Sequence, residues 1–211
     1  MLFDGSGAEW QAQVTAVRRA EVELELITRH EVDREIQSDL TLAVALPKGD
    51  RQRWLVEKAV EVGVRRMTPL ITARGVVMAG DTSLARLRRT VVEASKQCGR
   101  NRLMEITTPL SCTDYFAAVP AYGTLRVLAD PSGTKSLASM VKEQNRPPRS
   151  MTFAIGPEGG FTEAEIVASR ARGWSIVTLG PRILRVETAA VCLAAAGALL
   201  ADGKDKSEGD R

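Results

Sequence analysis

The chain has 211 residues, 26% of them charged and 44% hydrophobic, with a formal net charge of +3. That length supports one sizeable core plus a small second unit, and so small a charge excess does not by itself mark a nucleic-acid binder. A single histidine, His30, excludes His-rich metal sites and argues against a Ser-His-Asp hydrolase, while Cys98, Cys112 and Cys192 show no CxxC spacing, cannot form a disulfide framework and fit a reduced cytoplasmic setting.

No basic-then-apolar signal pattern opens the chain. "FDGSG" is a turn signal, and two strands should follow. "AEWQAQVTAV" alternates through Trp10, Ala12 and Val14, and "EVELELI" through Val22, Leu24 and Leu26, the pattern of half-buried strands. From residue 41 strands alternate with helices. "LTLAVAL" is a continuous apolar run, as expected of a strand covered on both faces. A helix follows in which Asp50 can cap, Leu55, Ala59 and Val62 share a face, and Gly63 can close the end. After the strand "RRMTPLI", Ser83 can cap a long helix striped by Leu84, Leu87, Val91 and Ala94. Further strands are expected at 124–129, 151–155 and 175–179, with a polar, Pro-rich loop at 142–150. The Ala-rich run Thr188 to Ala201 is shorter than the roughly 20 residues that span a bilayer and reads as a buried or interface helix. This alternation predicts an α/β fold with a mostly parallel sheet, whose ligands sit beyond the carboxyl ends of the strands.

Two strand-end loops stand out. "AIGPEGGFTEAE" (154–165) has the strand, glycine turn and helix order of a phosphate cradle. Its charge argues otherwise. Thr162 and Glu165 form a capping box, with Phe161 and Ile166 placed as a hydrophobic staple, so a helix should start at Glu163. Glu163 and Glu165 then occupy the positive end of the helix dipole and repel a phosphate, and neither GxGxxG nor a P-loop lysine is present. What remains is a simple strand–helix turn, or glycine backbone approached closely by a neutral or cationic ligand. "LGPRILRVETAA" (179–190) also follows a strand and opens on Gly-Pro, and carries Arg182, Arg185 and Glu187. The pair reads either as two ordinary connections or as two walls of one pocket. A third stretch, Arg86 to Arg102, holds six basic residues and one acid, with Arg86, Arg89, Lys96 and Arg100 near one helical face. It is either a solvated surface or a phosphate-contact surface.

In order and spacing, "ALPKGDRQRWLVEKAVEVGV", "EASKQCGR", "AIGPEGGFTEAE" and "LGPRILRVETAA" resemble the ribosomal RNA small-subunit methyltransferase E family, a branch of the SPOUT methyltransferases. The resemblance covers roughly residues 40–203, and the pairing of "IGPEGGFT" with "LGPRILRVETA" is its most specific part. It implies an α/β methyltransferase domain over 40–203 with a C-terminal trefoil knot, a homodimer, and S-adenosyl-L-methionine held in the knot. It implies methyl transfer to N3 of a uridine in small-subunit ribosomal RNA, free or in the assembled subunit, with no metal and no membrane. Family members carry an N-terminal PUA-like β-barrel and usually begin upstream of "LFDGSG", so a partial barrel is expected over 1–39, with RNA affinity affected more than cofactor binding. Residues 204–211 are expected to be a disordered tail.

On this resemblance, backbone and apolar groups around Ile155, Gly156, Gly160, Leu179, Gly180, Ile183 and Leu184 should enclose the cofactor, with Thr188 and Ala189 opening the next helix beside it. Arg185 is the first candidate for catalysis, stabilising charge on the uracil carbonyls. Glu187 or Glu158 is the candidate proton acceptor or partner of Arg185. Lys48, Arg51, Arg89, Lys96, Gln97 and Arg100 are candidate RNA contacts. The alternatives are a related SPOUT enzyme acting on a ribose 2′-hydroxyl or another base, and a non-catalytic RNA-binding or assembly factor.

Overall fold

A computed structural model of the protein describes residues 1–75, 80–118, 122–142 and 148–201. The expected tail at 204–211 and part of the 142–150 loop lie outside the described residues. In chain order the elements are β1 (Leu2–Phe3), β2 (Ala8–Val17), β3 (Val22–Glu31), β4 (Asp39–Val44), α1 (Arg51–Glu61), β5 (Arg66–Ile71) and α2 (Asp81–Cys98). Then come β6 (Glu105–Ile106), β7 (Leu110–Ser111), α3 (Cys112–Ala117), β8 (Thr124–Ala129), α4 (Leu137–Lys142), β9 (Ser150–Ile155), α5 (Glu163–Ala171), β10 (Ser175–Val177) and α6 (Val186–Ala201).

The larger sheet runs β10-β8-β9-β4-β5-β6, with β7 also on β5, and every pairing within it is parallel. Its central strand shows why the run at 40–44 is apolar but for Thr41. Leu40, Leu42 and Val44 enter the main core, while Ala43 faces a second cluster on the other side. Met151, Phe153 and Ile155 of β9 and Val127 of β8 join the first face, and Ala154 and Leu128 the second. Helices α1, α2 and α6 cover the first face, and α3 and α5 the second, where Phe116, Phe161 and Trp174 meet edge to face. Ala-rich α6 lies on β4, β9 and α1, as its composition predicts. A Cβ on its Gly197 would meet the Phe153 ring at 2.7 Å, so only a hydrogen lets the helix approach this closely.

Helix ends differ in detail from the expected caps. The Asp50 side chain makes no cap bond, and its backbone carbonyl starts the ladder by accepting from Trp54 N–H. Helix α2 begins at Asp81, two residues before Ser83, with Gly80 as its cap. Gly63 follows α1 in the left-handed region (φ +87°), as expected of a terminating glycine. The complete Thr162–Glu165 capping box starts α5 at Glu163 as anticipated.

Strands β1–β3 form a separate antiparallel sheet. The expected half-burial of its hairpin holds only in part: Trp10 and Ala12 of β2 are half-buried beside exposed Gln11 and Gln13, while Val14 and all of β3 are exposed. Val14 pairs with Leu24 and Ala12 with Leu26, yet Val22, Leu24 and Leu26 remain 55%, 41% and 58% exposed. No described element packs over that face, so alternation alone does not bury it. The sheet is fastened to the larger domain through polar contacts. Glu9 pairs with Arg34 and accepts from Asn101 Nδ2 at 3.0 Å, and Asn101 also donates to the Val32 carbonyl at 2.7 Å.

Candidate functional site

A cleft of about 570 Å³ opens beyond the carboxyl ends of β8, β9 and β10. Three strand-end loops build it: 129–132, 155–163 and 178–186. In a parallel sheet such loops end side by side, and so converge on one site.

The glycines explain its shape. Gly160 and Gly180 have φ of +69° and +99°, and a Cβ on either would meet nothing within 4 Å. Backbone is therefore bare toward open space at two walls, where a flat ligand can press against it. Gly156 has a different task, since a Cβ there would lie 3.0 Å from the Phe161 ring. Gly133 is tighter still: a Cβ would be 2.3 Å from the Val177 carbonyl carbon and 2.5 Å from Thr178 N. Here the loop after β8 crosses the chain leaving β10, backbone against backbone. Asp130 N–H donates to the Val177 carbonyl and Thr178 N–H to the Lys135 carbonyl, both at 3.0 Å, and lock the crossing.

The glycine loop after β9 is pinned from outside. Arg74, in the segment after β5, donates to the Gly159 carbonyl at 2.9 Å and reaches the Phe161 carbonyl at 3.5 Å. Glu165 accepts from Ala73 N–H at 2.9 Å, from Thr162 N–H at 2.6 Å and from the Cys112 thiol at 3.0 Å. Burial alone would raise the Glu165 pKa, but these donors together hold it below the usual carboxylate range. Burial, together with that carboxylate, pushes the Cys112 thiol up to about 12, so it stays protonated and is no nucleophile.

The cleft gathers most of the expected cofactor residues. Ile155, Gly156 and Gly160 line it from one loop, Leu179, Gly180, Ile183 and Leu184 from another, and Ala189 from α6. Thr188 does not line it. Helix α6 begins at Val186, two residues earlier than expected, and this phase turns Thr188 to solvent while Ala189 faces in. Glu158 lines the cleft. Arg185 is exposed between Leu184 and Val186, both of which line it. Glu187 is buried, and its Oε2 has no hydrogen-bond partner among the described residues. Arg51 links the two motifs: its Nη2 is 3.4 Å from Glu158 and its Nη1 3.6 Å from Glu187.

Of the expected RNA contacts, Lys48, Arg89, Lys96 and Gln97 are exposed and Arg51 is partly so. Arg100 is a correction. It is only 5% exposed, and its guanidinium is spent on Glu35 and the carbonyls of Val60 and Val64. The helix ends at Cys98, and Gly99 in the left-handed region (φ +76°) turns Arg100 inward, off the face that helical spacing predicts for it. Among the cleft residues missed from sequence are Arg74 and the wall Asp130-Pro131-Ser132. "LADPSG" carries a usable signal, a third turn cluster at a strand end. Among the described residues no His, Cys, Asp and Glu group is arranged to hold a metal.

The RNA methyltransferase domain family matches residues 34–198. Ribosomal RNA small subunit methyltransferase E of Synechocystis sp. is 34% identical over 201 residues, which cover 95% of this chain and 66% of that protein. The Bacillus subtilis protein of the same name is 29% identical, over 87% of this chain and 74% of its own. A crystal structure of ribosomal RNA small subunit methyltransferase E from Neisseria gonorrhoeae, bound to S-adenosyl methionine, superposes with a TM-score of 0.83 at 31% identity, covering 92% of this chain and 79% of that one. The chain thus spans 66–79% of the length of these relatives. With a domain match over most of its length and a cleft two of whose three loops are the motif loops, the chain belongs to the ribosomal RNA small subunit methyltransferase E family.

Proposed function

We propose that this chain transfers a methyl group from S-adenosyl-L-methionine to N3 of a uridine in small-subunit ribosomal RNA. The observation that carries the reading is the cleft itself, with bare glycine backbone at Gly160 and Gly180 and the apolar groups Ile155, Leu179, Leu184 and Ala189 around it. Its volume suits a cofactor of this size. Its charge suits one too: Asp130, Glu158 and Glu163 line it against Arg74 and Arg182, an acidic balance that favours a sulfonium-bearing ligand over a phosphate-rich one.

S-adenosylmethionine, when bound, supplies a methyl group already activated on a positively charged sulfur. The chain's residues must do the rest. Uridine N3 carries a proton at neutral pH and is a poor nucleophile until that proton leaves. In this reading Glu158, which lines the cleft, accepts it. Glu187 holds Arg51, and through it Glu158, in place. Arg185 stabilises the negative charge that spreads onto the uracil carbonyl oxygens as the proton leaves. N3 then forms the bond to the methyl carbon as the carbon–sulfur bond breaks. The loop walls exclude water and fix the approach.

Several structural features support the finer family expectations. A trefoil knot over the C-terminal part of the 40–203 domain is supported by the crossing at Gly133 and by the path of the chain, from edge strand β10 back to α6 on the central strands β4 and β9. The antiparallel sheet within 1–39 supports a partial PUA-like domain. Ile183 and Leu199, 80% and 76% exposed, supply apolar surface for a homodimer. No described helix is long and apolar enough to cross a membrane, and a cytoplasmic location goes with the ribosomal substrate.

Two outcomes test the reading. Calorimetry should show S-adenosylmethionine binding to the wild-type chain and none to Gly160→Trp, whose side chain enters the cleft from a strained backbone. Arg74→Ala, which frees the glycine loop, should raise the KM for the methyl donor about tenfold with little change in kcat, the pattern of weakened uniform binding. Donor binding unaltered by Gly160→Trp would place the cofactor elsewhere.

A further inference from the structure

We infer that the groove between the N-terminal turns of α1 and α2 binds the phosphate backbone of the RNA strand that presents the methylated base. This rests on the RNA methyltransferase reading above. The groove has a volume of about 680 Å³ and is separate from the methyl-donor cleft. Only the first turn of α1 divides them. Gly49, Asp50 and Gln52 line the groove, while Arg51 between them reaches Glu158 on the cleft wall. A strand lying in the groove therefore passes the cleft mouth within one helical turn.

The chemistry of the lining selects a phosphate chain. Leu87 is its single apolar side chain and no aromatic ring is present, so the groove offers no stacking platform for a base. It offers Arg53, Arg86 and Arg89, with the hydroxyls of Thr82 and Ser83. The basic residues of α2 divide by task. Arg88 donates to the Ile106 carbonyl, and Lys96 pairs with Glu93, which with Asp50 is one of two acids on the groove wall against three arginines. Arg53 shares Glu57 at 3.7 Å. Arg86 and Arg89 are exposed, and no carboxylate among the described residues pairs with either. Three residues apart on a helix, they project to the same side, and their guanidinium groups match phosphate oxygens in geometry and charge. The same face of α2 continues to Lys96 and Gln97, which gives the strand a path toward the small antiparallel sheet. Contacts of this kind set register and affinity without reading sequence.

The test uses the full chain and unmethylated small-subunit ribosomal RNA. RNA affinity is measured from about 50 to about 200 mM salt for the wild type, for Arg86→Ala/Arg89→Ala and for Arg86→Lys/Arg89→Lys. The alanine pair should weaken binding about tenfold and lower the slope of log affinity against log salt by about 1.4, or about 0.7 for each single-strand phosphate that is no longer neutralised. The lysine pair should keep most of the slope. S-adenosylmethionine binding, followed by calorimetry, should be the same in all three. An unchanged RNA affinity and slope in the alanine pair, with the wild type methylating normally, would sink the groove and leave the methyltransferase reading standing. A shift in oligomeric state on light scattering would make the groove a contact between two copies, and would also overturn the inference. If the wild type neither binds the donor nor methylates RNA, the functional reading fails, and the groove loses the activity it was inferred to serve.

Discussion

Gly133→Val is expected to lower the thermal unfolding midpoint by about 6–12 °C and to abolish S-adenosylmethionine binding. The temperature range follows from about 3 kcal/mol for overpacking, at about 2–4 °C per kcal/mol for a chain of this size. The clash is unusual in kind. A Cβ at Gly133 meets the Val177 and Thr178 backbone at 2.3–2.8 Å, so no side-chain rotation relieves it. The two strands of chain must move apart and break the bonds from Asp130 N–H and Thr178 N–H. Both loops that separate are walls of the cleft. Differential scanning calorimetry and donor titration check the two effects. A variant that binds the donor normally would show that the crossing does not shape the site. Gly160→Ala provides the contrast, because its Cβ meets nothing and only the positive φ is strained.

Arg185→Ala is expected to cut methyl transfer about 100- to 1,000-fold, the loss typical of one group that stabilises developing charge. Donor affinity and melting temperature should not change. The side chain is exposed, while its backbone is fixed by the start of α6, where Ala189 N–H donates to the Arg185 carbonyl at 2.9 Å. Removing the guanidinium thus removes charge without disturbing the walls. Arg182 serves as the comparison, since it lines the cleft itself. Its alanine variant should weaken donor binding. If Arg182→Ala shows the catalytic loss and Arg185→Ala retains full activity, the two residues exchange roles.

What can be read from the sequence is local. The alternation of strands and helices follows from apolar periodicity, and the cap at Thr162 from residues three apart, so both are as expected. Two cleft walls are legible because Gly-Pro loops announce strand ends. The third wall, at Asp130-Pro131-Ser132, depends on β8 lying between β9 and β10, a placement no local pattern encodes. Arg74 belongs to the same class: its partners, Gly159 and Phe161, are more than 80 residues away. Arg100 and Thr188 show a narrower limit. Helical spacing puts Arg100 on the basic face and the resemblance puts Thr188 at a helix start, and each expectation turns on one or two residues at a helix end. Gly99 ends α2 and turns Arg100 inward, while the earlier start of α6 rotates Thr188 outward. The exposed apolar face of β3 marks a third limit, since alternation shows which residues share a face but not what covers it.

Mapping the product tests the central claim most directly. The chain is incubated with isotopically labelled S-adenosylmethionine and unmethylated small ribosomal subunits, and the digested RNA is analysed by mass spectrometry. The label is expected on N3 of a uridine in small-subunit RNA, and is expected to disappear in Arg185→Ala. Label on a ribose 2′-hydroxyl or another base, or RNA binding with no label at all, would contradict the proposed activity.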